Sequence, residues 1–145
     1  MVVGGPESQS QYYKQIAEEL KLTNIVFTGQ VKHENVSDYL YVSDILLALW
    51  SSEVGTINYC SPLKLFEYMA AERIIVEHGF PTIKEVITHN QNAILIKPDS
   101  LENLIVKTGD ALKLLDNYFM SVQPRKLVKE KYTWQKRVEN NFDSF

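Results

Sequence analysis

Apolar positions along the chain follow two spacings. Short apolar runs bounded by turn residues fall at residues 1–3, 24–27, 45–50, 73–76 and 93–96. They are too short for helices and rich in Val and Ile, which predicts buried strands. Between them lie segments of helical period. Tyr13, Ile16, Ala17 and Leu20 make one stripe on a helix over residues 8–20. Val36, Leu40 and Tyr41 make another. Leu101, Leu104, Ile105, Leu112 and Leu115 make a third, starting just after the capping residues Asp99 and Ser100. Thr133 is placed to cap a final polar helix from about residue 133. Strands alternating with helices predict a doubly wound, Rossmann-like α/β unit with a parallel sheet covered on both faces.

No internal repeat, low-complexity stretch or linker interrupts this pattern, and 145 residues suit one domain. The expectation is therefore a single domain over residues 1–145. Hydrophobic residues make up 45% of the chain and charged residues 23%, the balance of a globular protein. A net charge of −3 gives no basic stripe for nucleic acid. Cys60 is the single cysteine, so no internal disulfide forms, which fits a reducing, cytoplasmic compartment. No apolar run approaches the ~20 residues of a membrane span, and no basic region precedes an apolar stretch at Met1 as in a signal peptide.

The segment richest in chemistry is Ser61-Pro62-Leu63-Lys64-Leu65-Phe66-Glu67. Ser61 can cap a helix and Pro62 fits its first position. The amides of Leu63 and Lys64, with the helix dipole behind them, then form a natural anion site. Lys64 adds a mobile positive charge. Glu67, one turn on, shares a side with Leu63 and Lys64; its carboxylate can accept two hydrogen bonds from a ribose diol. Leu63, Phe66 and Ala70 are expected to face inward. The same residues would also suit a capped core helix with a surface Lys–Glu pair, and their chemistry leaves both readings open. The histidines at 33, 78 and 89 show no metal-ligand spacing with Cys60, and His78 reads as a loop residue at the surface.

The run Ser61 to Ala71 resembles the signature of the C-terminal, donor-binding domain of GT-B glycosyltransferases of group 1 (family four). The resemblance extends along the chain. Val2-Val3-Gly4-Gly5-Pro6-Glu7 is similar to that family's strand-Gly-Gly-Pro-Glu turn, and Asn24-Ile25-Val26-Phe27-Thr28-Gly29 to its next strand. Ser43-Asp44-Ile45-Leu46-Leu47, Pro81 to Ile87, Asn92 to Ile96 and Tyr132-Thr133-Trp134 follow in order.

The resemblance implies sugar transfer from a nucleoside diphosphate sugar, UDP- or GDP-linked, with retention at the anomeric carbon and without a required metal or cofactor. It places Glu67 on the ribose and the amides of Leu63 and Lys64, at the Ser61-Pro62 helix start, on the diphosphate. Gly4 and Gly5 would let the backbone approach the donor, or else simply make a tight strand-to-helix turn. Main-chain groups of Val31 would frame the base.

The chain departs from the family in three ways. Tyr59 stands where an earlier Glu contacts the donor sugar; Glu53 on the same loop is a substitute or a solvated residue. Glu72 replaces a helix-terminating glycine, which implies modest backbone strain, and Glu77-His78 replaces small residues. The family's domain also begins one strand and one helix earlier. That implies an N-terminal truncation, with the absent strand falling between residues 1–3 and 45–50. The expectation is that an acceptor-binding N-terminal domain, a partner chain or a homo-oligomer completes the protein, with peripheral membrane association of the full protein left open. Two other readings stand beside this one. A non-catalytic nucleotide-binding or interaction module of the same descent is the first. A dinucleotide-dependent oxidoreductase is the second, disfavoured because Gly4-Gly5-Pro6 lacks the G-x-G-x-x-G spacing.

Overall fold

The computed structural model describes residues 1–61 and 63–142 and divides into two compact units, Met1–Tyr39 and Leu40–Phe145. In the first unit, Val2 forms a parallel bridge to Phe27. Its amide donates to the Val26 carbonyl at 2.7 Å, and its carbonyl accepts from the Thr28 amide at 3.0 Å. The chain then turns through Gly4 and Gly5 into α1 (Glu7–Glu19), with Pro6 at its N-cap position and no side-chain cap. Residues 1–3 and 24–27 were expected as buried strands. They make only this bridge, and Met1, Val2, Val3, Ile25 and Val26 are exposed. The reason is pairing: among the described residues no second strand lies along Val2. On α1 the expected stripe is half right. Ala17 is buried and Ile16 half-buried, while Tyr13 and Leu20 are exposed. Helix α2 (His33–Tyr41) follows, with Val36 and Leu40 half-buried and Tyr41 exposed.

The second unit is built on a parallel sheet in the order β1-β2-β3, formed by β1 (Ile45–Ala48), β2 (Ile74–His78) and β3 (Ile94–Ile96). The register sets Ile45 beside Ile74 and Ala48 beside Glu77, then Val76 beside Ile94 and His78 beside Ile96. Every residue of β2 is buried. Alternation along a strand sends neighbours to opposite faces, and two cores result. Ile75 joins Ile57, Leu65, Met69 and Ile83 on one side; Ile74 and Val76 join Ile94, Ala111 and Met120 on the other. The first core lies under α3 (Leu63–Ala70) and α4 (Pro81–Lys84), the second under α5 (Leu101–Leu112) and α6 (Tyr118–Leu127).

Two apolar stripes are turned only in part toward the core: Phe66 on α3 and Leu104 on α5 pack against it as expected, and others of each stripe do not. On α3 the buried residues are Leu65 and Met69, whereas Leu63 is exposed. On α5 the buried contact is made by Ala111 with Leu104 packed beside it, and Leu101, Ile105 and Leu112 face outward. Capping was read correctly: the Ser100 hydroxyl accepts from the Asn103 amide, and that of Thr133 accepts from the Lys136 amide ahead of α7 (Trp134–Phe142). Helix α6 was not foreseen. It carries Pro124 in its interior and runs into a π-helical turn, Val128–Tyr132.

Candidate functional site

In open parallel α/β sheets, ligands bind beyond the C-terminal ends of the strands. At that end of the second unit, the chain leaves β1 through Leu49 and Trp50 and forms a loop over residues 51–60. Successive turns build this loop: Val54 donates to Ser51, Ile57 to Val54, and Cys60 to Thr56. Ile57 plugs the core beneath it, and the Thr82 hydroxyl donates to the Ile57 carbonyl at 2.9 Å. The loop delivers Ser61 and the first turn of α3 to solvent.

Ser61, Leu63, Lys64 and Glu67 are all exposed there, so the helix start is accessible. Amides of a first helical turn have no intrahelical acceptor, and an exposed lysine and carboxylate stand beside them on the same face. Pro62 lies outside the described residues. Glu53 and Tyr59 are exposed loop residues, so Glu53 matches the solvated reading.

Beneath this opening sit Trp50 and Glu77, to which the sequence alone assigns no role in the site. The Lys64 ammonium lies 5.6 Å from the centre of the Trp50 ring, within cation–π range. On β2, Glu77 shares the α3 face with Ile75. It is 0% exposed, and neither carboxyl oxygen has a hydrogen-bond partner among the described residues; the same holds for the Trp50 indole nitrogen. Burial pushes the Glu77 carboxyl from 4.5 up to about 8. The Trp50 indole and the His78 backbone amide approach the carboxyl without the geometry of a formed hydrogen bond, and with the Lys64 charge they offset this only in part. Tyr68, also on α3, is raised by burial and then by the charges of Glu77 and Glu67. A signal was present: one carboxylate interrupts the otherwise apolar Ile74-Ile75-Val76 strand.

His78 is a correction to the surface-loop expectation. It is buried at the end of β2, and its Nδ1 lies 2.9 Å from the Trp50 amide nitrogen and 2.6 Å from the Trp50 carbonyl oxygen. His89 accepts from the Leu95 amide through Nδ1. Among the described residues no three His, Cys, Asp or Glu side chains gather as a metal would require.

Within the first unit, Gly4 donates to the Gly29 carbonyl at 2.9 Å and to the Thr28 hydroxyl at 3.3 Å. This seats the glycine turn beside the loop that carries half-buried Val31. Gly4 and Gly5 have φ of 89° and 91°, and a Cβ added at either would meet nothing within 4 Å. Glycine is thus needed for the left-handed turn, and the space beside it is open.

The sequence model of the family described as glycosyl transferases group 1 matches residues 1–113. Solved structures share the fold. A glycosyltransferase from Rickettsia africae ESF-5 superposes with a TM-score of 0.74 at 17% identity, over 97% of this chain and 38% of its own. Sucrose-phosphate synthase from Thermosynechococcus elongatus gives 0.75 at 15% identity, over 98% and 37%. Anabaena Alr3699/HepE, solved with UDP and glucose, gives 0.74 at 16% identity, over 99% and 40%. This chain therefore spans about two fifths of the length of these proteins. No curated protein matches the sequence. The fold is that of the C-terminal domain of GT-B enzymes. The chain belongs to the group 1 glycosyl transferases.

Proposed function

We propose that the chain is the donor-binding portion of a retaining, hexosyltransferase-like enzyme that uses a nucleoside diphosphate sugar. The observation that carries this is the accessible α3 start, with Lys64 and Glu67 on its open face at the C-terminal end of a parallel sheet. The first-turn amides and Lys64 hold the diphosphate, stabilise the charge that develops as it leaves, and need no metal to do so. Glu67 accepts from the ribose hydroxyls. UDP is favoured over GDP by its presence in the Anabaena structure.

The isolated chain is inactive in this reading, because the acceptor comes from an N-terminal domain, a partner chain or a second copy. The edge of β1 supports the need for a further strand: among the described residues β2 is the one strand paired with it, and unpaired edges invite pairing. A monomer with full amide-exchange protection along β1 would remove that need. The activity belongs to carbohydrate synthesis in the cytoplasm. A non-catalytic module of the same descent is the second reading, favoured by Tyr59 in place of the sugar-contacting Glu.

Calorimetric titration with UDP, GDP, ADP and NAD tests the donor role. UDP or GDP should bind, and Glu67→Ala should weaken that binding about ten- to a hundredfold, as expected for a lost charge-assisted hydrogen bond of roughly 1.5–3 kcal/mol. Binding of NAD alone would defeat the proposal, and so would a Glu67→Ala variant that binds as the parent does.

A further inference from the structure

A fully buried carboxyl with no hydrogen-bond partner is costly unless something else requires it. Glu77 is such a group, and its surroundings are specific. From α3 it faces the charges of Lys64 and the phenol of Tyr68; from the chain after β1 it faces the indole of Trp50; on its own strand it is followed by His78. Its neighbours in register, Ala48 and Leu95, are apolar. Among the described residues the Lys64 charge is the one that favours its ionised form, and Lys64 is also the cation at the α3 start, resting over the Trp50 ring. One ammonium thus serves two anionic positions, the buried carboxyl and the ligand site at the helix start.

We propose that Glu77 is a positioning residue for the diphosphate: as a neutral acid it leaves the Lys64 ammonium free for the ligand, and as a carboxylate it draws that ammonium down beside Trp50. The inference rests on the donor-binding reading of α3. Two negative groups competing for one cation also make binding take up a proton, since the ligand's charge disfavours the carboxylate. With the carboxyl titrating at about 8, the competent, protonated form predominates at pH 7 and falls to roughly a tenth by pH 9.

The test is calorimetric titration of UDP at pH 7, 8 and 9, each in two buffers of different ionisation enthalpy. The terminal phosphate of UDP ionises near pH ~6, so its charge is nearly constant from pH 7 to pH 8; toward pH 9 the uracil N3–H begins to ionise, an effect common to the parent and the variant. For the parent, affinity should fall about tenfold from pH 7 to pH 9, with proton uptake on binding at pH 8. Glu77→Gln keeps a neutral side chain of the same shape, and its affinity should stay level from pH 7 to pH 8 with no uptake, any fall being confined to pH 9 where the uracil itself ionises. Carboxyl carbon NMR of the unaltered protein gives a second readout independent of any variant: the Glu77 titration should move upward when UDP is added. A level affinity for the parent, an unchanged pH dependence in Glu77→Gln, or a Glu77 titration that ignores UDP each overturns the coupling while leaving donor binding in place. Absence of UDP binding at every pH overturns the donor-binding reading, and the coupling with it.

Discussion

One ring nitrogen ties two strand ends together: His78 Nδ1 lies 2.6 Å from the carbonyl oxygen of Trp50 and 2.9 Å from its amide nitrogen. When Nδ1 carries the proton it donates to the carbonyl; in the other tautomer it accepts from the amide. Either way it fixes Trp50, whose ring lies beneath Lys64. Loss of the imidazole leaves partly buried backbone groups without that partner. His78→Ala should therefore destabilise the fold by about 1–3 kcal/mol. His78→Asn, which can place an amide nitrogen near the Nδ1 position, should recover part of the loss. Urea unfolding of the three proteins measures it, and equal midpoints would show that the contact does nothing.

Glu77 makes the stability of the chain depend on pH. Its folded-state carboxyl titrates at about 8 against 4.5 when unperturbed. Between these values the folded state holds a proton that the unfolded state releases, so stability falls as pH rises, at about 1.4 kcal/mol per pH unit. The loss stops above about pH 8, where both states are ionised. Glu77→Gln should remove this slope, which unfolding at several pH values between 5 and 8 would reveal.

The helix end at Glu72 carries strain that the sequence had announced. Its φ is 56°, in the left-handed region that favours glycine. An ion pair of 3.0 Å to Arg125 partly offsets this, but both side chains are about a third exposed, so the pair adds well under 1 kcal/mol. Glu72→Ala loses the pair and keeps the strain, whereas Glu72→Gly loses both. Glu72→Gly should accordingly be the more stable of the two by about 1 kcal/mol, measured as a difference in thermal midpoint.

What was legible in the sequence is what local chemistry decides. Ser100 and Thr133 cap their helices because a side-chain oxygen ahead of a polar-apolar period has few other uses. Gly4, Gly5 and Glu72 announced left-handed turns. The three parallel strands of the second unit were readable as Val- and Ile-rich runs. Facing directions were not, because they depend on which neighbours exist. Leu101 and Ile105 have helical spacing yet no described element covers them, and small Ala111 makes the contact instead. Helix α6 escaped notice because Pro124 argues against a helix interior. Glu77 carried no motif; only the parallel register, which buries all of β2, gives it meaning.

The most direct measurement follows the backbone amides of α3 by two-dimensional NMR while UDP is added. The account predicts saturable shifts at Leu63 and Lys64, larger than those along α5, and their loss of saturation in Glu67→Ala over the same concentrations. Unmoved Leu63 and Lys64 amides in a protein that nonetheless binds UDP would contradict it, because the diphosphate would then lie elsewhere than the start of α3.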